Sequence, residues 1–291
     1  MRVCSLLPSA TEIIAELGLA DSLVGVSAEC RWPDEVVGKP VVTTARIDSA
    51  NLSSAAIDAL VRESLADGQA LYAVDAELLD ELRPDVLITQ DLCTVCAVSS
   101  GDLATACPVG AEVVSLDPRT LGEVADTVTL LGERLGAVEA AGRIVAEMSA
   151  KVDAVRAATA ALPRPRIFVA EWIDPPFCGG HWVPEMVEAA GGKDVLAVHG
   201  EPSFPTTWED VLAAEPELVV IAPCGFDADQ AAVRAAELRL PCRVVAVDAD
   251  SYYSRPAPRL PDGVRQLGHL LHPDAVADPG LPAIELAAVP R

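Results

Sequence analysis

The sequence predicts two Rossmann-like α/β lobes joined by one long backbone helix. Three observations predict it. Strands alternate with helices in two successive stretches, a proline-free run with helical spacing separates them, and the second stretch repeats spacings of the first. A chain of 291 residues is about twice the length of a typical domain. Its 51% hydrophobic content supplies enough apolar surface for two cores.

Residues 2–7 are an apolar run of strand length that ends at Pro8. Ser9 and Glu12 follow with the spacing of a capping box, and Ile13, Ile14, Leu17 and Leu19 give a helical stripe. Residues 24–27 read as the next strand, before a loop from Ala28 to Pro33. The pattern over 43–72 is ambiguous, with helical spacing at 54–64. Leu78, Leu79 and Leu82 mark a helix stopped at Pro84, and strands at 86–89 and 112–116 complete a first lobe, residues 1–118.

From 121 to 162 there is no proline, and Val124, Val128, Leu131, Leu135, Ile144, Met148, Val152 and Val155 recur at helical spacing. Thr120 and Glu123 supply a second capping box. One helix of ~40 residues would be ~60 Å long, which favours a connector, residues 119–162, over an element packed inside either lobe. A break near Gly132, Gly136 or Gly142 would leave two helices instead.

The second lobe, residues 163–291, restarts with a strand at 166–173 and a helix running from Pro184 to Gly191-Gly192. Leu82-Arg83-Pro84-Asp85-Val86-Leu87-Ile88 has a counterpart in Ala214-Glu215-Pro216-Glu217-Leu218-Val219-Val220-Ile221, and 244–248 echoes 113–117. Pro84 precedes Val113 by 29 residues and Pro216 precedes Val244 by 28. These ordered correspondences read as an internal duplication.

Charge and composition exclude several functions. A net charge of −23 repels phosphate backbones, and no Lys/Arg cluster offsets it, so nucleic acid is not an expected partner. The apolar runs are strand-length, far short of the ~20 residues that span a bilayer, so membrane insertion is not expected. The N-terminal residues show no signal-peptide core, so a cytoplasmic location is expected, which does not favour a transporter partner. In that compartment the eight cysteines are expected as thiols, metal ligands or redox groups.

Open parallel sheets bind ligands beyond the carboxyl ends of their strands. Cys30, Cys93, Cys96, Cys178, His181 and Cys224 all fall just past expected strand ends, and two lobes facing each other would bring them to one cleft. Cys93-x-x-Cys96 is the spacing of a metal pair, for an iron–sulfur cluster or zinc, or of a redox dithiol; small buried thiols are the alternative. His181 follows two glycines that allow close backbone approach, though it also stands where it would cap the helix at Pro184. The scarce aromatics gather in the same loops: Trp32, Trp172, Phe177, Trp182, Phe226, Tyr252 and Tyr253. Clustered so, they suit a large, flat, partly apolar small-molecule ligand. Arg255 and Arg259 suit its carboxylate or amide groups, or else pair with acidic residues of the surface. No G-x-S-x-G, H-E-x-x-H or Walker loop occurs, so a binding protein is expected rather than an enzyme.

Ser5-Leu6-Leu7-Pro8-Ser9-Ala10-Thr11-Glu12-Ile13, Arg31-Trp32-Pro33-Asp34-Glu35, Pro84-Asp85-Val86-Leu87-Ile88-Thr89, the segment from His181 to Gly192, and Trp208-Glu209-Asp210-Val211 resemble the class III periplasmic-type binding proteins, closest to the cobalamin-binding members. The resemblance implies a ligand cleft between two α/β lobes bridged by a helix, with a corrinoid such as cobalamin, or a related metal chelate, as ligand. By position it implies a lining of Ser9, Glu29, Trp32, Gln90, Trp172, His181, Trp182, Tyr252 and Tyr253, to which Phe226 and Arg255 are added from the aromatic and cationic residues above. A metal or iron–sulfur protein using the cysteines and His181, with or without catalysis, is the competing expectation.

Overall fold

The computed structural model describes residues 1–49, 51–92, 98, 101, 108 and 110–287. Cys93, Cys96 and Cys107 lie outside the described residues. The chain divides into two compact units, one of residues 1–118 and 125–145, the other of residues 119–124 and 146–291.

In the first unit β1 (Val3–Ser5) leads into α1 (Pro8–Glu16), then β2 (Leu23–Val26), β3 (Thr43–Ala45), α2 (Ser54–Ala66), β4 (Tyr72–Val74), α3 (Ala76–Leu82), β5 (Val86–Thr89) and β6 (Glu112–Ser115). The parallel sheet runs in the order β2-β1-β5-β6, with Val3 opposite both Leu23 and Val86. Cys4, Leu6, Val42, Leu79, Leu87 and Val98 form a buried cluster on it. The ambiguous stretch is a helix flanked by a separate antiparallel pair, β3 with β4. Ser9 and Glu12 do not form a capping box. Pro8 occupies the first helical turn, where its fixed φ suits the helix and its missing N–H costs nothing, so the cap position falls to Leu7 and both polar residues are buried inside α1.

The expected single connector is two helices, α4 (Leu121–Leu135) and α5 (Val138–Thr159). Gly136 sits at φ +75°, the N–H of Ala137 reaches back to the carbonyl of Gly132 at 2.7 Å, and that of Gly136 to Glu133 at 3.4 Å. This αL terminus closes α4, because a residue at positive φ cannot continue the helix. At Thr120 the capping box is displaced by one residue: Thr120 Oγ1 accepts from the Glu123 N–H at 3.1 Å, while Glu123 Oε2 accepts from the Arg119 N–H.

The second unit contains β7 (Arg166–Ile173), β8 (Pro176–Cys178), α6 (Val183–Ala189), β9 (Lys193–Asp194), α7 (Trp208–Ala213), β10 (Leu218–Ile221), α8 (Ala228–Arg234), β11 (Arg243–Val247), α9 (Ala249–Tyr252), α10 (Leu260–Leu271) and β12 (Ala283–Leu286). β7, β10 and β11 pair in parallel at the centre, and β8 and β12 add antiparallel edges. Phe168, Ala170, Val219, Ile221 and Ala246 face a core completed by α7 and α8 through Val211 and Ala231. Each fully buried Val, Leu, Ile or Phe of this kind stabilises the fold by roughly 1.5–3 kcal/mol.

Candidate ligand-binding edges of the two sheets

In each unit several expected site residues lie at or just beyond the carboxyl ends of parallel strands, whereas Cys178 lies in the antiparallel edge strand β8 and His181 and Trp182 follow it. β7 delivers Glu171 and Trp172, β10 is followed by Cys224 and Phe226, and β11 leads into α9. The Glu171 main chain accepts from the Cys224 N–H at 3.1 Å, and its side chain accepts from the Gly180 N–H at 3.0 Å. Glu171 thereby ties two loops to the end of β7, and sequence reading missed it. An acid at the end of an otherwise apolar strand was the available signal.

The Gly179–Trp182 loop is fixed from both sides. A Cβ on Gly180 would stand 2.3 Å from the Ser203 amide nitrogen, so only glycine permits this approach. His181 holds a left-handed backbone at φ +52°; its N–H donates to the Glu201 carbonyl at 2.7 Å and its carbonyl accepts from Gly200 at 3.0 Å. The imidazole Nε2 is buried without a hydrogen-bond partner among the described residues. Burial first, and the Arg119 guanidinium second, hold the His181 pKa below its ordinary value, which favours the neutral ring. Left-handed backbone at a non-glycine residue costs energy and clusters at functional sites.

The aromatics separate into two groups. The Trp172 and Phe226 rings stand 5.9 Å apart and tilted at 42°, and Trp172 is half-buried. Tyr252 is also half-buried, with the Arg259 guanidinium 5.6 Å from its ring centre. Trp182 and Tyr253, by contrast, are interior, at 5% and 1% exposure. Trp182 Nε1 donates to the Tyr253 carbonyl at 2.8 Å, and the Tyr253 hydroxyl donates to Gln266 at 2.8 Å. Arg255 is buried and forked onto Asp250, with Nη2 2.7 Å from each carboxylate oxygen. The structure therefore realises the alternative in which this arginine pairs with an acidic residue.

Cys178 is fully buried; its Sγ accepts from the Phe204 N–H at 3.5 Å, and burial pushes its pKa up to about 11. Cys224 is half-exposed. Among the described residues no three His, Cys, Asp or Glu side chains come together as a metal site.

In the first unit Ser9, Glu29 to Trp32, and Gln90 follow β1, β2 and β5. Ser9 and Gln90 are buried at 2% and 4% exposure, Trp32 is exposed, and Glu29 pairs with Arg31 at 3.2 Å. Cys30 is buried with its Sγ 3.0 Å from Thr11 Oγ1 and 3.2 Å from Ser27 Oγ. A separate cavity of about 730 Å³ lies among Thr44, Arg46, Asp48, Leu52, Leu60 and Gln69, none of which was an expected site residue.

Comparison with known proteins gives a consistent outcome. Residues 3–239 match the family profile described as Periplasmic binding protein. The chain is 25% identical over 272 residues to a Vitamin B12-binding protein of Vibrio cholerae serotype O1, covering 91% of this chain and 87% of that one. It is 24% identical over 274 residues to the Vitamin B12-binding protein of Yersinia pestis strain Pestoides F, covering 91% and 84%. A periplasmic heme binding protein from Pseudomonas aeruginosa shares the fold with a TM-score of 0.72 at 21% identity, covering 100% of this chain and 99% of that one. The periplasmic Vitamin B12 binding protein of Vibrio cholerae does so with a TM-score of 0.64 at 23% identity, covering 93% and 96%.

Proposed function

The chain belongs to the periplasmic binding protein family, and on that premise we propose that it is a binding protein for a metal-bearing tetrapyrrole, in the first place a corrinoid such as cobalamin. The observation that carries the reading is the half-buried Trp172 packed on Phe226 at the carboxyl edge of the second sheet. The partly exposed indole, backed by the buried Phe226 ring, gives an apolar face to a flat macrocycle, and aromatic contacts contribute strongly to affinity in sites of this kind. His181, in a strained loop where burial and Arg119 favour its neutral ring, adds a polar group whose Nε2 no described residue uses. The B12-binding relatives support a corrinoid, and the likeness to a heme binding protein makes heme the second ligand of the same class.

Titration of the purified protein with cyanocobalamin and, separately, hemin tests the reading, with absorbance and tryptophan fluorescence as readouts. Saturable one-to-one binding of either is expected, weakened at least tenfold by Trp172→Ala. Absence of saturable binding to both overturns it. A cytoplasmic location belongs to the same proposal, supported by the buried thiols of Cys4 and Cys178. Cell fractionation that places the protein outside the cytoplasm would reject that part.

A further inference from the structure

Phe226 is buried, at 9% exposure, and both its backbone and its ring are held in place. Its carbonyl accepts from the N–H groups of Ala249 and Asp250 at 3.1 and 3.2 Å, fixing the backbone against the start of α9. Its ring is capped by Arg234, whose guanidinium carbon lies 3.9 Å from the ring centre. Arg234 is the last residue of α8, a helix anchored one residue beyond Phe226 by a complete capping box between Asp227 and Gln230. The same Phe226 ring contacts Trp172.

We propose that Arg234 is a positioning residue for ligand recognition: its guanidinium fixes the Phe226 ring, and Phe226 fixes the indole of Trp172 in the pose that meets the ligand. The inference rests on the reading of Trp172 as a ligand wall. A guanidinium within 6 Å of a ring centre is attracted to the ring's negative face, and more strongly when water is excluded. Burial holds the Arg234 pKa below its ordinary value, as partial desolvation of this cation requires. An indole already held in its bound pose spares the loss of side-chain freedom that binding would otherwise exact.

The test is a double-substitution cycle in the full-length protein, with cyanocobalamin and hemin as probes. Arg234→Gln is expected to weaken binding about fivefold to tenfold, and Arg234→Lys, which keeps the cation, to restore most of it. In a Trp172→Ala background Arg234→Gln is expected to have no further effect. Equal weakening in both backgrounds would mean that Arg234 touches the ligand itself and would overturn the proposal. A second readout needs no ligand. The near-ultraviolet circular dichroism assigned to Trp172, by difference from Trp172→Phe, is expected to diminish in Arg234→Gln and persist in Arg234→Lys; an unchanged band overturns the proposal. If the wild type binds neither probe, the tetrapyrrole reading fails, while the dichroism still decides whether Arg234 orders the rings.

Discussion

The indole N–H of Trp182 donates to the main-chain carbonyl of Tyr253 at 2.8 Å, with both residues almost wholly buried. This bond links the glycine loop before α6 to the end of α9. It continues through the Tyr253 hydroxyl to Gln266, whose amide donates to the Pro282 carbonyl at 3.0 Å. Trp182→Phe keeps most of the apolar contact but leaves the Tyr253 carbonyl buried and unpaired. The expected loss is about 1–3 kcal/mol, read as a lower urea midpoint with an unchanged slope.

The His181 environment makes stability depend on pH. Its pKa lies below 6.5 in the native state, through burial first and Arg119 second, and returns to that value on unfolding. Between those two values the unfolded chain binds more protons, so stability falls as pH drops through the window and is complete above about pH 6.5. His181→Asn preserves tolerance of positive φ while removing the titration. Thermal midpoints at about pH 7.5 and pH 5 are expected to differ less in this variant than in the wild type. An identical difference in both would reject the role of His181.

Arg83 and Glu215 show what the sequence made legible. Both adopt left-handed backbone, at φ +43° and +49°, and each is followed by proline and then a parallel strand. Proline disfavours right-handed helix in the residue before it, so α3 ends two residues before Pro84 and α7 three before Pro216, and the correspondence read from the two prolines is visible in the left-handed residue before each. The break at Gly136 was one of three possibilities, since only tertiary contact separates it from Gly132, where a Cβ would stand 2.4 Å from that of Ala141. The antiparallel β12 was not read, because Ala283–Leu286 is too short and too exposed to carry a clear period. Strand ends marked where the expected loops begin, but spacing does not encode which way a side chain turns. Tyr253 turns inward to Gln266, and Arg255 finds Asp250 five residues back. The contact of Arg234 was invisible in the sequence, since it is made with a ring eight residues earlier, outside helix α8.

Gly180 offers a backbone test of the same loop. Adding one methyl group at this position brings Cβ to 2.3 Å from the amide nitrogen and 2.9 Å from the Cα of Ser203. Backbone cannot yield as a flexible side chain does, so Gly180→Ala must push the Ser203 strand of chain away from the Glu171–Gly180 bond. A cost of about 1–3 kcal/mol in chemical denaturation is expected. Ligand affinity should fall with it, because His181 is the next residue. Unchanged stability would show that the two segments separate freely.

The cysteines are expected to react unequally. Burial pushes Cys4 up to about 12 and Cys178 up to about 11, so at pH 8 only about one thiol in a thousand or fewer at these positions is ionised. Both side chains are also fully buried, which denies the reagent access to the few thiolates that form. Cys224 and Cys242 are half-exposed. Brief treatment of the native protein with iodoacetamide, followed by peptide mass spectrometry, should therefore label Cys224 and Cys242 while sparing Cys4 and Cys178. Denaturation before treatment should label all four. Rapid native labelling of Cys178 would mean that the β8 strand opens readily, and with it the base of the loop that carries His181.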